Sequence, residues 1–181
     1  MKKIIFLVLI MFSFLSKGNA EYEQLATNFS FKSIEGNTID LADYKESVIL
    51  VVNVASRCGF TNQYKDLQAL WSEYKDKDLL VIGVPSNNFR QEPGNNKEIK
   101  DFCETTFGID FPISDKINVL GKNAHPFYVW AKKNYGSGAI PKWNFHKIII
   151  GKNGKVAETF SSIVKPSSKK FIAAIEKEIK S

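Results

Sequence analysis

The sequence predicts an α/β domain: a mixed central sheet flanked by helices, with a β-hairpin at its N-terminal end. Three observations carry that prediction. Val48 to Val54 and Leu79 to Val84 are nearly continuous β-branched and apolar runs, the pattern of strands buried on both faces. Between them Leu67, Leu70, Trp71 and Tyr74 recur at helical spacing, so strand, helix and strand read as a parallel crossover. Near the C-terminus, His146 to Ile150 and Val156 to Phe160 flank Gly151-Lys152-Asn153-Gly154, a turn composition that pairs them as an antiparallel hairpin.

The remaining elements follow in chain order. Phe29 and Phe31 alternate on one arm and Ile39 and Leu41 on the other, with Gly36-Asn37 turning between them as a small first hairpin. Ile99, Phe102, Cys103 and Phe107 share one stripe of a helix that ends at Gly108. Phe127, Trp130 and Ala131 mark another helix, begun near Asn123, and His125 ahead of Pro126 reads as a capping or surface residue. The last helix starts after Pro166-Ser167 and buries Phe171, Ile175 and Ile179. A parallel crossover followed by a helix, an antiparallel hairpin and a terminal helix is a fold of thioredoxin type. No repeat, low-complexity tract or Pro/Ser-rich linker divides residues 21–181, so they read as one domain.

The 181 residues are 44% hydrophobic and 24% charged, which excludes a disordered, collagen-like or polytopic membrane chain. Lys2 and Lys3 precede an apolar run from Ile4 to Leu15, broken only by Ser13, and Gly18 and Ala20 then supply small side chains. That is the layout of an export signal cleaved after Ala20, which makes the mature protein periplasmic or secreted; an uncleaved anchor is the alternative. Removing residues 1–20 takes three of the 25 basic residues and none of the 19 acidic ones, so the formal charge falls from +6 to +3. No basic cluster interleaved with aromatics then points to nucleic acid, and Lys132-Lys133 and Lys169-Lys170 read as solvated helix faces. His125 and His146 are the only histidines, without ligand spacing, and Gly151 to Gly154 lacks the strand-loop-helix context of a phosphate loop. No metal and no cofactor are expected.

Two cysteines are too few for a disulfide scaffold and leave either one bridge or two working thiols. Cys58 follows the first buried strand, where the next helix is about to begin. The free N–H groups and partial positive charge of a helix start stabilise a thiolate over a thiol. Gly59 allows a tight turn beside the sulfur, and Arg57 can add charge; the plainer reading is a packed structural cysteine. Thr61 stands where a C-x-x-C dithiol would have its second cysteine, so the chemistry fits a lone thiolate attacking a peroxide oxygen. The polar loop Val84 to Gly94 leaves the same sheet edge as Cys58, the edge where α/β proteins build their sites. Trp143-Asn144, just before a strand, reads either as packing or as part of that site.

Asn53 to Thr61, Asn88-Phe89-Arg90-Gln91-Glu92-Pro93-Gly94 and Lys142-Trp143-Asn144-Phe145 resemble, in order and separation, the three signature blocks of the glutathione peroxidase family. The resemblance spans essentially the whole mature chain. It implies a thioredoxin-like fold and reduction of hydrogen peroxide and organic or lipid hydroperoxides, with a catalytic tetrad at Cys58, Gln91, Trp143 and Asn144. Neutral amide and indole donors suit that task, because they stabilise a thiolate and a leaving oxygen without forming a competing ion pair. Departures from the pattern are Ser86 in place of a common cysteine, Asn88 in place of the usual Gln, and Arg90 alone between Phe89 and Gln91 where the family has two residues. The short run from Phe127 to Pro141 resembles the monomeric branch. Cys103 matches the resolving cysteine of the branch that uses thioredoxin-like reductants rather than glutathione, although its place on an apolar stripe equally fits a packed core thiol. A disulfide oxidoreductase or an inactive binding module on the same scaffold are the rival readings.

Overall fold

The structure, a computed structural model, describes residues 22–181, and the leader read on residues 1–20 lies outside the described residues. The first hairpin forms as its alternation predicts. Ser30–Lys32 (β1) pairs antiparallel with Thr38–Asp40 (β2), Phe31 opposite Ile39, and these two side chains are buried while their neighbours face solvent.

The two apolar runs become Val48–Val54 (β3) and Leu79–Pro85 (β4), buried along their whole length and paired in parallel. Gln63–Tyr74 (α1) makes the crossover between them. Asn96–Phe107 (α2) follows, held at its start by a reciprocal Asn95–Glu98 capping box and ended by Gly108 at φ 62°, a left-handed position that glycine takes without cost. Pro126–Tyr135 (α3) begins three residues later than the sequence reading placed it. Lys147–Ile150 (β5) and Val156–Phe160 (β6) form the second hairpin, and Lys169–Ile179 (α4) closes the chain.

The central sheet runs β4-β3-β5-β6, with β3 parallel to β4 and antiparallel to β5. Side chains alternate across it. Val48, Leu50, Val52 and Val54 pack with Leu67 and Leu70 of α1, Ile99 and Cys103 of α2 and Phe171 and Ile175 of α4. Ile49 and Val51 face the opposite way, onto Phe127, Trp130 and Ala131 of α3 and onto Phe31 and Ile39 of the first hairpin. Helices therefore cover both faces, as the uniform burial of β3 and β4 requires. The mixed sheet, its helices and the small first hairpin are the thioredoxin-like arrangement expected from the sequence. The parallel pairing of Val54 with Pro85 also sends two loops out from one edge of the sheet.

Candidate active site

Cys58 sits in the loop after β3, not in the first turn of α1. A run of tight turns intervenes: Thr61, Gln63, Tyr64 and Lys65 donate their N–H groups to the carbonyls of Cys58, Phe60, Thr61 and Asn62. Cys58 is 9% exposed, and its sulfur accepts the Phe60 N–H at 3.4 Å, a backbone donor suited to a developing thiolate. Thr61 has a structural task here. Its hydroxyl oxygen accepts the Cys58 N–H at 3.0 Å and lies 2.7 Å and 2.9 Å from the carbonyls of Cys58 and Ala55. A cysteine there would remove this staple.

The second loop, after β4, packs against the first. The Arg57 N–H donates to the Gln91 carbonyl at 3.0 Å, so Gln91 stands beside the residue preceding Cys58. Glu92 is 1% exposed, and its carboxylate accepts both the N–H (2.7 Å) and the hydroxyl (2.9 Å) of Ser56. The Glu92 N–H in turn donates to Asn87 Oδ1 at 3.0 Å. Burial raises the Glu92 carboxyl above its ordinary range, while Ser56, Lys116 and Arg57 pull it back. Arg90 bridges Phe89 to Gln91 with φ 59°, a left-handed conformation that is uncommon and strained for a residue with a side chain. One residue thus makes the turn in which the sequence pattern leaves room for two.

The third strip comes from the segment before β5. Trp143 is 41% exposed and its ring packs on Phe89, with centroids 5.3 Å apart. Asn144 is fully buried, and its Nδ2 donates to Gln91 Oε1 at 2.8 Å. Asn53 anchors this strip from β3: its Nδ2 donates to the Trp143 carbonyl at 3.1 Å, and its Oδ1 accepts the His146 N–H at 3.2 Å. The Asn144 Oδ1 is buried without a partner among the described residues, a cost of about 1–3 kcal/mol of the kind that active sites retain. Gln91, Trp143 and Asn144 thus meet around the loop that carries Cys58.

Cys103 lies apart on α2, fully buried in the core cluster that also holds Cys58, and both thiols are free. Burial pushes the Cys103 thiol up to about 11; the Tyr64 hydroxyl beside it pulls the other way, while the charges of Glu92 and Glu104 add to the rise. Between the Cys58 loop and α2 lies a cleft of about 510 Å³ lined by Ser56, Arg57, Glu92, Ile99 and Phe102. Arg57 therefore borders Glu92 rather than simply crowning the sulfur. Among the described residues no group of three His, Cys, Asp or Glu side chains is placed to hold a metal ion. Sequence reasoning missed Asn53, Ser56 and Glu92, whose parts in the site come from hydrogen bonds between segments far apart in the chain, and the staple that the Thr61 hydroxyl makes within its own loop.

A family model for glutathione peroxidase matches residues 26–132, a stretch that contains Cys58, Gln91 and Cys103. The chain belongs to the glutathione peroxidase family. The hydroperoxy fatty acid reductase gpx1 of Synechocystis sp. is 42% identical to it over 158 residues, covering 82% of this chain and 92% of that protein. The glutathione peroxidase-like peroxiredoxin HYR1 of Saccharomyces cerevisiae is 47% identical over 139 residues, covering 74% and 85%. Among solved structures, Trgpx in its apo form superposes with a TM-score of 0.70 at 36% identity, covering 88% of this chain and 97% of that one. A thioredoxin-family thiol:disulfide interchange protein from Chlorobium tepidum reaches 0.64 at 17% identity, covering 83% and 92%, and shows a shared fold alone. As a glutathione peroxidase family member the chain is a peroxidase, an oxidoreductase acting on hydroperoxides.

Proposed function

We propose that this glutathione peroxidase family member reduces hydroperoxides at Cys58 and resolves the product with Cys103. The observation that carries the reading is the meeting of Gln91, Trp143 and Asn144 around the Cys58 loop, with the Gln91 oxygen already engaged by Asn144. Its acceptor being occupied, the Gln91 amide has N–H donors left for a sulfur or a peroxide oxygen. None of the hydrogen bonds found among the described residues uses the Trp143 indole N–H, which is likewise left to donate.

The Cys58 thiolate attacks the terminal oxygen of ROOH and the O–O bond breaks. Sulfur is oxidised to the sulfenic acid, and the departing oxygen takes a proton to leave as ROH. The donors of Gln91, Trp143 and Asn144 hold the negative charge as it moves from sulfur to oxygen. Cys103 then displaces water from the sulfenic acid to form a Cys58–Cys103 disulfide, and two electrons from a dithiol reductant restore both thiols. The yeast relative named as a peroxiredoxin supports a thioredoxin-like donor over glutathione. We read the protein as a monomer that takes no nucleic-acid partner, and as exported once residues 1–20 are removed.

Stopped-flow oxidation of the reduced protein by hydrogen peroxide tests this reading. Cys58→Ser should abolish turnover, because a serine hydroxyl offers no anionic nucleophile at neutral pH. Activity near the parent level in that variant would refute it. Supplying peroxide with either glutathione or a thioredoxin-type dithiol then identifies the donor by turnover.

A further inference from the structure

Tyr64 is fully buried in the first turn of α1, and its ring is clamped between two others. Phe107, at the end of α2, has its ring centroid 5.3 Å away, and Phe145, next to Asn144, has its own at 5.4 Å. The Tyr64 N–H donates to the Thr61 carbonyl at 3.0 Å. The residue thus bears on the Cys58 loop, on the strip that carries Trp143 and Asn144, and on the helix that carries Cys103.

Packing explains the ring but not the hydroxyl. Its oxygen is buried without a hydrogen-bond partner that meets it in good geometry among the described residues, although the Cys103 thiol stands beside it. A phenylalanine would fill the same slot and leave nothing unsatisfied, and buried polar groups without partners are rare enough to call for a reason. Burial raises the Tyr64 hydroxyl well above its ordinary range, so it keeps its proton and is available as a donor. A thiol is a weak acceptor and a thiolate a strong one. Burial and the charges of Glu92 and Glu104 oppose a thiolate at Cys103, and of the groups that bear on it the Tyr64 hydroxyl alone favours one. The hydroxyl is therefore poorly paired while Cys103 holds its proton, and gains an acceptor when that proton leaves.

We propose that Tyr64 is a positioning residue for the resolving step, its hydroxyl donating to the Cys103 sulfur as the thiol gives up its proton. The proposal rests on the reading of Cys103 as the resolving thiol. In that step an electron pair of the Cys103 sulfur forms the S–S bond while the S–O bond of the Cys58 sulfenic acid breaks, and the departing hydroxide takes the proton that Cys103 lost and leaves as water. The Cys58 sulfur is reduced, the Cys103 sulfur is oxidised, and no outside electron enters. Deleting the hydroxyl deprives the thiolate of its donor and rids the folded thiol form of an unpaired group, and both effects hold Cys103 back in α2.

Tyr64→Phe tests the proposal, with Tyr128→Phe as its control. Tyr128 also buries a hydroxyl without a partner, but on the other face of the sheet, in the cluster of Phe127 and Trp130. When the reduced protein is mixed with one equivalent of hydrogen peroxide, quenched-flow intact mass follows the sulfenic acid, which gains an oxygen, and then the disulfide, which has lost two hydrogens. At neutral pH disulfide closure should slow about tenfold in Tyr64→Phe, the effect of losing one hydrogen bond to a charged sulfur. Sulfenic acid formation should stay within about twofold, and Tyr128→Phe should change neither step. In Cys58→Ser protein labelled with carbon-13 at the cysteine Cβ, the Cys103 resonance should titrate at higher pH once Tyr64→Phe is added. Mere loosening of the packing would move that titration the opposite way, because it would let water reach the thiolate. Closure as fast as in the parent, equal slowing of both steps, the same slowing in Tyr128→Phe, or a titration that stays put or falls overturns the proposal. A parent protein that forms no Cys58–Cys103 disulfide refutes instead the resolving role of Cys103, and the proposal falls with it.

Discussion

Asn144 Nδ2 donates to Gln91 Oε1 at 2.8 Å, joining two loops that lie 53 residues apart in the chain. The bond fixes which face of the Gln91 amide is free. Neither residue is a strong acid or base, so their value lies in direction: one amide orients the other, and the oriented amide donates to the reacting atoms.

That coupling predicts non-additive kinetics. Gln91→Ala and Asn144→Ala should each slow the oxidation of Cys58 by about tenfold to a thousandfold, the range for losing one preorganised donor. The double variant should be slower than either single one by much less than the product of the two effects, because the second change removes a partner already lost. Full multiplicativity in stopped-flow rates would mean that the two amides act separately.

Glu92 makes a different prediction, because it grips the Cys58 loop and bears on Cys103. Glu92→Ala leaves the half-buried Ser56 N–H without its acceptor, a loss of about 1 kcal/mol readable in the urea midpoint. Glu92→Gln keeps an acceptor and removes the charge. Since that charge helps push the Cys103 thiol up, Cys103 should titrate lower in Glu92→Gln, seen as the pH dependence of the thiolate's ultraviolet absorbance in a Cys58→Ser background. An unchanged profile would show that burial alone sets its acidity.

Much of this architecture is legible in the chain because burial writes itself into local pattern. The run Val48 to Val54 is uniformly apolar apart from Asn53, and the structure explains that exception: Asn53 ties β3 to Trp143 and His146. The start of α3 was misplaced because Asn123 has the composition of a cap. The residues before Pro126 instead form a turn, with the Ala124 N–H on the Gly121 carbonyl and the His125 N–H on the Asn118 carbonyl. His125 Nδ1 accepts the Phe127 N–H at 3.3 Å and caps the helix, and Pro126 at its first position disfavours an earlier helical start. Glu92 was unreadable for the opposite reason: its partner Ser56, 36 residues away, is set by how the two loops dock in space, not by spacing along the chain.

His146 predicts an acid-labile fold. It is 7% exposed, and burial, reinforced by the charges of Lys147 and Lys142, pushes it down to about 4 from an ordinary value near 6.5. A histidine depressed in the folded state contributes stability above about pH 6.5 that is lost as the pH falls through about 4. Between pH 7.5 and 4.5 the protein should lose about 2–3 kcal/mol on this account, and His146→Gln should lose correspondingly less. Lys147, buried and pushed down to about 7, loses most of its contribution as the pH falls from about 10.4 to 7 and the remainder just below, in both proteins alike, so the difference between them reports His146. Equal losses in both proteins, measured by urea unfolding at the two pH values, would assign the acid sensitivity elsewhere.

Cys103 sets the most demanding test, because its burial and its proposed task oppose each other. It sits mid-helix, fully buried, with a thiol held near 11, so in the folded reduced protein it is a poor nucleophile and inaccessible to reagents. A disulfide needs Cα atoms within about 4.4–6.8 Å and aligned Cβ vectors, so α2 must loosen for the thiol to be delivered. One equivalent of peroxide should then link Cys58 to Cys103 within one chain and raise amide hydrogen exchange across α2, while α4 keeps its protection. In Cys103→Ser the Cys58 sulfenic acid should persist, over-oxidise at higher peroxide and stop turning over with a thioredoxin-type dithiol. If that variant turns over normally and α2 stays protected on oxidation, Cys103 is a packed core thiol and the reductant attacks Cys58 directly.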